Sequence, residues 1–175
     1  MSIVRFIGCL HLGHPNIARH RGFQDEHEHD EHLIKTWNNT VRKRDITYIL
    51  GDVTMETSKF YYQLDRLQGT KHVILGNHDR RQDVPELLRY VDTVGGMVDY
   101  KGFILTHCPV HPNEIGFVRG NIHAHIHHKN KLEEVVVYDR FNDPGSVPIK
   151  TLDKYYNVDA KVIDFKPKTL EELIT

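Results

Sequence analysis

The run Val73-Ile74-Leu75-Gly76-Asn77-His78-Asp79 limits the fold more than any other stretch of this chain. A β-branched and apolar segment of this kind reads as a buried strand. It stops at a glycine and hands over directly to an amide, an imidazole and a carboxylate. Open α/β sheets bind ligands at the carboxyl ends of their strands, so this ending delivers three polar groups to that edge. The same order recurs in Phe6-Ile7-Gly8-Cys9-Leu10-His11, in Tyr48-Ile49-Leu50-Gly51-Asp52 and in Phe103-Ile104-Leu105-Thr106-His107. Four apolar runs, each followed by a potential metal ligand, point to one sheet edge that carries a metal site.

The intervening segments supply the helices that such a sheet needs. Residues 3–7 form the first strand, and 16–22 read as a loop or short turn. Asp25 is placed to cap a helix running to about Thr40, with Glu28 as capping-box partner and Leu33, Ile34, Trp37 and Val41 as its buried stripe. The second strand is 45–50. Thr57 or Ser58 then starts a helix through Leu67, with Phe60, Tyr61, Leu64 and Leu67 at helical spacing and Gly69 as its stop. After the third strand, Pro85 opens a helix over 84–90. This β-α order implies a parallel sheet covered by helices. The second half reads as short strands at Val94, 97–100, 103–106, 121–125, 133–138 and 157–165, with a terminal helix over 169–174. No repeat, low-complexity tract or linker interrupts the sequence, so residues 1–175 are expected to form a single domain.

Bulk properties exclude several classes. A net charge of -1 and pI near 6.9 give no global attraction to nucleic acid or an anionic membrane. No apolar run approaches membrane-spanning length, and the chain opens into a strand rather than a signal peptide. Cys9 and Cys108 each adjoin a histidine-bearing motif, which is not the pattern of a disulfide scaffold. The expectation is a cytoplasmic, reduced protein without a membrane partner, with Cys108 buried and inert.

Histidine is the compositional signal, at 14 residues. His27, His29 and His32 alternate with acids and read as a solvated helix face. The rest gather at strand ends: His11, His78, His107 and the run His123-Ala124-His125-Ile126-His127-His128. Together with Cys9, Asp52 and Asn77 they offer nitrogen, carboxylate, amide and one thiolate. That set suits Zn, Fe, Mn or Co better than Mg or Ca, and it is large enough for two ions. Spacing alone leaves the register of the histidine run open between His123/His125 and His125/His127.

The ordered motifs Cys9-x-His11, Gly51-Asp52, Gly76-Asn77-His78-Asp79, Thr106-His107 and Ala124-His125-Ile126-His127 resemble those of the calcineurin-like metallophosphoesterases. The small single-domain members of bacteria and phages, which have no cap domain, are the nearest in length. The resemblance implies a four-layer α/β/β/α sandwich of two mixed sheets, with the metal site at the carboxyl ends of the strands. It implies a dinuclear centre in which Asp52 bridges two ions. Cys9, His11 and His127 then complete metal 1, and Asn77, His107 and His125 complete metal 2. His123 falls outside, as a residue that supports the ligands from behind or is structural. The activity implied is hydrolysis of a phosphodiester, derived from a nucleotide or nucleic acid, by a metal-bridging hydroxide. His78 then acts as general acid, with Asp79 orienting it.

Two positions depart from the family pattern. Cys9 stands where most members have aspartate, which favours Fe or Zn at metal 1. The Gly8-Cys9-Leu10-His11 opening looks locally like that of the lariat-debranching enzymes, which cleave 2′,5′-phosphodiesters in RNA. Ala124 replaces a glycine. Arg80, Arg81 and His14 lie close enough in sequence to the motifs to be candidate substrate contacts, each weighed against a plain surface or structural role. The partner expected is a phosphate ester, a nucleotide or RNA among the options, and the second-half strands offer an edge for a homodimer. The competing readings are a protein-binding module on the same fold and a metal-dependent nucleotide sensor with weak turnover.

Overall fold

The computed structural model describes residues 2–116, 118–128, 136–137, 149–150 and 152–175. In chain order, β1 (Val4–Ile7) leads into α1 (Pro15–His20) and α2 (Glu26–Thr40), followed by β2 (Ile46–Leu50), β3 (Thr70–Ile74), α3 (Val84–Leu87) and β4 (Thr93–Gly95). The second half holds β5 (Val98–Tyr100), β6 (Phe103–Leu105), α4 (Pro112–Ile115), β7 (Gly120–His123), β8 (Val136–Val137), β9 (Ile149–Lys150), β10 (Tyr155–Asn157), β11 (Lys168–Thr169) and α5 (Leu170–Ile174).

Two mixed sheets with flanking helices result, the α/β sandwich expected. The first has the order β11-β1-β2-β3-β4, in which β1 to β4 run parallel and β11 closes the edge antiparallel. The second has the order β10-β7-β6-β5, with β5 antiparallel to β6 and the remaining neighbours parallel. A separate antiparallel pair joins β8 to β9. The sheets meet through aromatic rings: Phe6 packs edge-on against Tyr100 at 5.4 Å, and Tyr48 lies 6.0 Å from the same ring. Leu33, Ile34 and Trp37 bury one stripe of α2 in the same core, and the Trp37 indole N–H donates to Gln68 O. No described helix is long and apolar enough to cross a membrane.

Parallel strands explain why the site can exist. Four strand ends, β1, β2, β3 and β4, point the same way, and β6 and β7 are parallel in the neighbouring sheet. Beyond β1 the chain stays laced to the chain beyond β2, since Cys9, His11 and Leu12 donate their N–H groups to Gly51, Asp52 and Val53, all at 2.9 Å.

Several expectations need correction. Residues 16–22 are mostly helical: Pro15 starts α1 from its first turn, and only Ala18 is buried, so no apolar period announced it. The segment after Thr57 is a 3-10 helix over Tyr61–Arg66 instead of an α-helix. Tyr61, Leu64 and Leu67, spaced by three, match its three residues per turn and are buried. Residues 157–165 do not extend a strand. The Asp159 carboxylate accepts the Lys161 and Val162 N–H groups, and Asp164 and Phe165 take positive φ, so the chain turns after β10. His27 and His32 are exposed as expected, but His29 is fully buried. It stands four residues before Leu33, on the inward face of α2. Cys108 is exposed and Cys9 buried, both as free thiols. The Asp25 cap accepts Glu28 N–H at 2.8 Å, while the Glu28 carboxylate reaches Gln24 N–H rather than Asp25. Of the strand expected at 133–138, only Val136–Val137 lies within the described residues.

Asp45, 1 % exposed, anchors the amino ends of β1 and β2 by accepting Ile3 and Arg42 N–H groups, each at 3.0 Å. Burial pushes this carboxyl up, but the two N–H groups and nearby arginines outweigh it and hold it below the usual range. A depressed carboxyl stabilises the fold above its unfolded value of about 3.9 and loses that contribution as pH falls through the folded value. Asp45→Asn is therefore expected to cost about 1–3 kcal/mol at neutral pH. In urea titrations the deficit should shrink at acid pH, where the wild-type carboxyl is also protonated.

Candidate metal centre

The strand ends converge on one cluster of electron-rich atoms. Cys9, His11 and Asp52 are at most 1 % exposed, and His107 is 4 % exposed. Asp52 lies at the middle. Its Oδ2 is 3.7 Å from His11 Nε2 and 3.3 Å from His107 Nε2, and its Oδ1 accepts the His78 N–H at 3.0 Å. On one side, Cys9, His11 and His127 bring ligand atoms within 4.8 Å of one another. On the other, His107, Cys108 and His125 do so, and Cys9, Asp52 and His107 form a third such group. Asn77 Oδ1 stands 2.9 Å from His107 Nε2, and His125 Nδ1 is 3.2 Å from that same nitrogen. The structure thus brings together every residue assigned to the two ions by resemblance.

The backbone is bent to achieve this. Cys9, His11, Asp52 and His125 all have φ between 50° and 62°, among eight non-glycine residues with positive φ in the described part of the chain. Such conformations cost roughly 1–3 kcal/mol each and persist where the surroundings over-determine them. Gly51 shares the constraint at φ 78°, and a Cβ there would sit 2.5 Å from His107 Nδ1. A Cβ on Gly76 would collide with the Asp52 carboxylate. The glycines of both motifs exist to let ligands approach.

The donor set fits a cation. Both ring nitrogens of buried His11 lack any hydrogen-bond partner, although orphaned buried polar groups cost stability. His107 Nδ1 faces Leu50 O at 2.8 Å and must donate, which turns Nε2 toward the oxygens of Asn77 and Asp52. Burial lowers the pKa of His107, but the Asp52 hydrogen bond and charge outweigh it and raise it above the usual value, so a cation at Nε2 would take the place of a proton there. Burial, aided by the Arg21 charge, pushes His11 down to about 3, so at neutral pH the ring is uncharged and one nitrogen presents a lone pair. Burial also raises Cys9 well above its usual value, reinforced by Asp159 and Asp52. A thiolate there needs a cation beside it.

Other predicted site residues fall as follows. The Asp79 carboxylate does not orient His78. It accepts the N–H groups of Asp52 (2.7 Å), Val53 (3.0 Å) and Gly76 (2.8 Å), locking the loops after β2 and β3 together. The partner of His78 is Glu56, whose Oε1 lies 3.3 Å from Nδ1 and whose N–H donates to His78 O. His14 sits just before α1 with its ring 6.4 Å from that of His11. Arg80 is occupied by Asp83 at 2.7 Å, and Arg81 is exposed. His123 is buried and stands in none of the ligand groups: its Nδ1 donates to Ala124 O, and burial lowers it to about 4. Sequence reasoning missed Glu56, Arg21 and Asp159. Only Glu56 carried a local signal, as an acid four residues after Asp52.

The model of the calcineurin-like phosphoesterase family matches residues 4–170. The chain belongs to that family. Among curated proteins it is 34% identical over 179 residues to uncharacterized protein MJ1445 of Methanocaldococcus jannaschii, covering 99% of this chain and 90% of that one. It is 39% identical over 99 residues to the gene 66 protein of Mycobacterium phage D29, covering about half of each chain (51% and 48%). Among solved structures, the protein of unknown function AQ665 from Aquifex aeolicus superposes with a TM-score of 0.70 over 98% of this chain and 97% of that one. Its 21% identity makes it a fold likeness only. Membership makes this chain a metal-dependent phosphoric ester hydrolase in general class, and the cluster described above supplies candidate residues for the divalent ions that the family implies.

Asp79→Ala removes the acceptor shared by three backbone N–H groups. A loss on the order of 3 kcal/mol is expected in urea unfolding of the metal-free protein. A neutral effect would contradict the locking role.

Proposed function

We propose that this calcineurin-like phosphoesterase is a dinuclear phosphodiesterase in which His78 is the general acid. The observation that carries the reading is the sharing of Asp52 Oδ2 between His11 at 3.7 Å and His107 at 3.3 Å, with His78 tied to the opposite oxygen. Cys9, His11 and His127 would hold one ion, and Asn77, His107 and His125 the other, with Asp52 common to both. Cys9 favours Fe or Zn in the first position over hard cations; Mn remains an option for the second. Two such ions, when bound, supply an activated water and neutralise charge during displacement at phosphorus.

The chain's own residues do the rest. Glu56 Oε1 beside Nδ1 accepts the proton carried there, which leaves Nε2 as the atom that, when protonated, delivers a proton to a leaving alkoxide. His78 is partly exposed, and the Glu56 side chain is 61% exposed, which leaves room for a substrate over the site. His14 flanks this opening and is a candidate phosphate contact. Arg80 is paired with Asp83, whereas Arg81 is exposed and forms no ion pair among the described residues. Diesters are favoured over monoesters because an alkoxide leaving group needs the acid. A nucleotide or RNA-derived diester in a reduced, cytoplasmic setting fits the thiol at Cys9, and a homodimer through the second sheet is compatible with the fold.

His78→Ala should lower kcat on the order of 10²–10⁴-fold for a diester with an alkyl leaving group. It should lose much less on a p-nitrophenyl diester, whose leaving group needs no proton, with metal content unchanged. Equal losses on both would remove His78 from the acid role, and unchanged hydrolysis of the alkyl ester would overturn the mechanism.

A further inference from the structure

A buried polar network runs behind the first ligand group and belongs to none of the sequence motifs. Asp159, 0 % exposed, stands at the turn after β10 with Oδ2 2.8 Å from His127 Nδ1. The same Oδ2 lies 3.4 Å from the Arg21 guanidinium, while its Oδ1 accepts the Lys161 N–H at 2.9 Å. Arg21, at the end of α1, donates to Cys9 O at 2.7 Å and to Leu10 O at 3.3 Å. It also meets His29 Nε2 at 2.9 Å, and His29 Nδ1 meets Asp30 Oδ1 at 2.8 Å. Asp30 Oδ2 in turn accepts Gly13 N–H at 2.8 Å and the Gln63 amide at 2.6 Å.

The logic of donors and acceptors is complete. Arg21 only donates, so His29 Nε2 must accept and its Nδ1 must carry the proton toward Asp30. Asp159 as a carboxylate only accepts, so His127 Nδ1 carries the proton and Nε2 is left as its ligand atom. The loop from Cys9 to Gly13 is held at both ends, its carbonyls by Arg21 and its Gly13 amide by Asp30. Buried ion pairs are weak evidence for stability, because desolvating both partners offsets their attraction. A buried pair joining residues 138 apart in sequence therefore calls for a role beyond folding. Outer partners of this kind fix ring orientation and raise ligand basicity at metal centres.

Building on the metal-centre reading above, we infer that Asp159 and Arg21 are positioning residues for the first ion. Asp159 sets His127 as an Nε2 ligand, and Arg21 fixes the Cys9–Leu10 backbone so that the Cys9 thiolate and His11 imidazole converge with it. They hold the strained backbone at Cys9 and His11, φ 53° and 50°, in the ligating geometry.

Cobalt(II) titration of metal-free protein tests this, read by the thiolate-to-cobalt charge-transfer band. The background is Cys108→Ser, because Cys108 adjoins the second ligand group and its removal leaves Cys9 as the reporter. Asp159→Asn keeps the shape and loses the charge. It should weaken the cobalt affinity read by that band by ~10- to 100-fold. Cobalt bound without the band, at the His107/His125 group, should keep its affinity. Saturation at the wild-type cobalt concentration would overturn the inference while leaving the metal reading intact. No band in the Asp159-containing background would overturn both. A second readout needs no variant: in zinc-loaded wild-type protein, histidine nitrogen NMR should show His127 protonated at Nδ1 and metallated at Nε2. The opposite assignment would overturn the inference.

Discussion

The structure depends on the placement of Asp52 between two imidazoles at the middle of the cluster. Its backbone N–H is captured by Asp79, its Oδ1 by the His78 N–H, and its Oδ2 is left facing His11 and His107. Burial opposes a charge there, yet the His107 contact prevails and holds the Asp52 carboxyl below its usual range. Asp79, without such a partner and near the Asp52 charge, is pushed above its usual range by burial. A buried carboxylate with imidazole and thiol groups converging on it, and a second acidic side chain hydrogen-bonded to its backbone, forms a donor set suited to a cation. The four positive-φ residues at the cluster show that the backbone is held in strained conformations to keep these atoms together.

The scaffold supplies that strain from outside the site. The parallel sheet aligns the strand ends, but alignment alone does not aim a ligand. Aiming comes from the side chains behind: Asp79 between the loops after β2 and β3, and the Asp159-Arg21-His29-Asp30 chain behind the loop after β1. The second sheet contributes through close approach. His125 N–H donates to Cys9 Sγ at 3.2 Å, and a Cβ on Gly8 would lie 2.5 Å from that of Ala124. Alanine in place of the family's glycine is accommodated because the facing residue is itself a glycine.

Much of this was legible in the chain. Apolar runs ending in Gly-Cys, Gly-Asp, Gly-Asn-His-Asp and Thr-His announced the strand ends, since a buried strand and its polar terminus are both local features. The register of the histidine run was not local. Spacing left it open and the family resemblance favoured His125 with His127; in the structure His127 lies beside Cys9 and His11, and His125 beside His107. Asp79 was placed beside His78 by adjacency, but its carboxylate turns back to three backbone N–H groups, which sequence proximity does not reveal. The pairing of Arg21 with Asp159 was not legible because the two lie 138 residues apart in the sequence. His29 did carry a signal, the four-residue step to Leu33, masked by its acidic neighbours.

The account rests on a cysteine serving as a metal ligand where most of the family has aspartate. The most direct measurement is elemental analysis of untagged protein purified without oxygen. About two transition ions per chain, with Fe or Zn among them, is the expected result for a dinuclear centre. One ion would contradict it by showing that Cys9 has emptied the first position, and none would remove the metal-dependent chemistry from this chain.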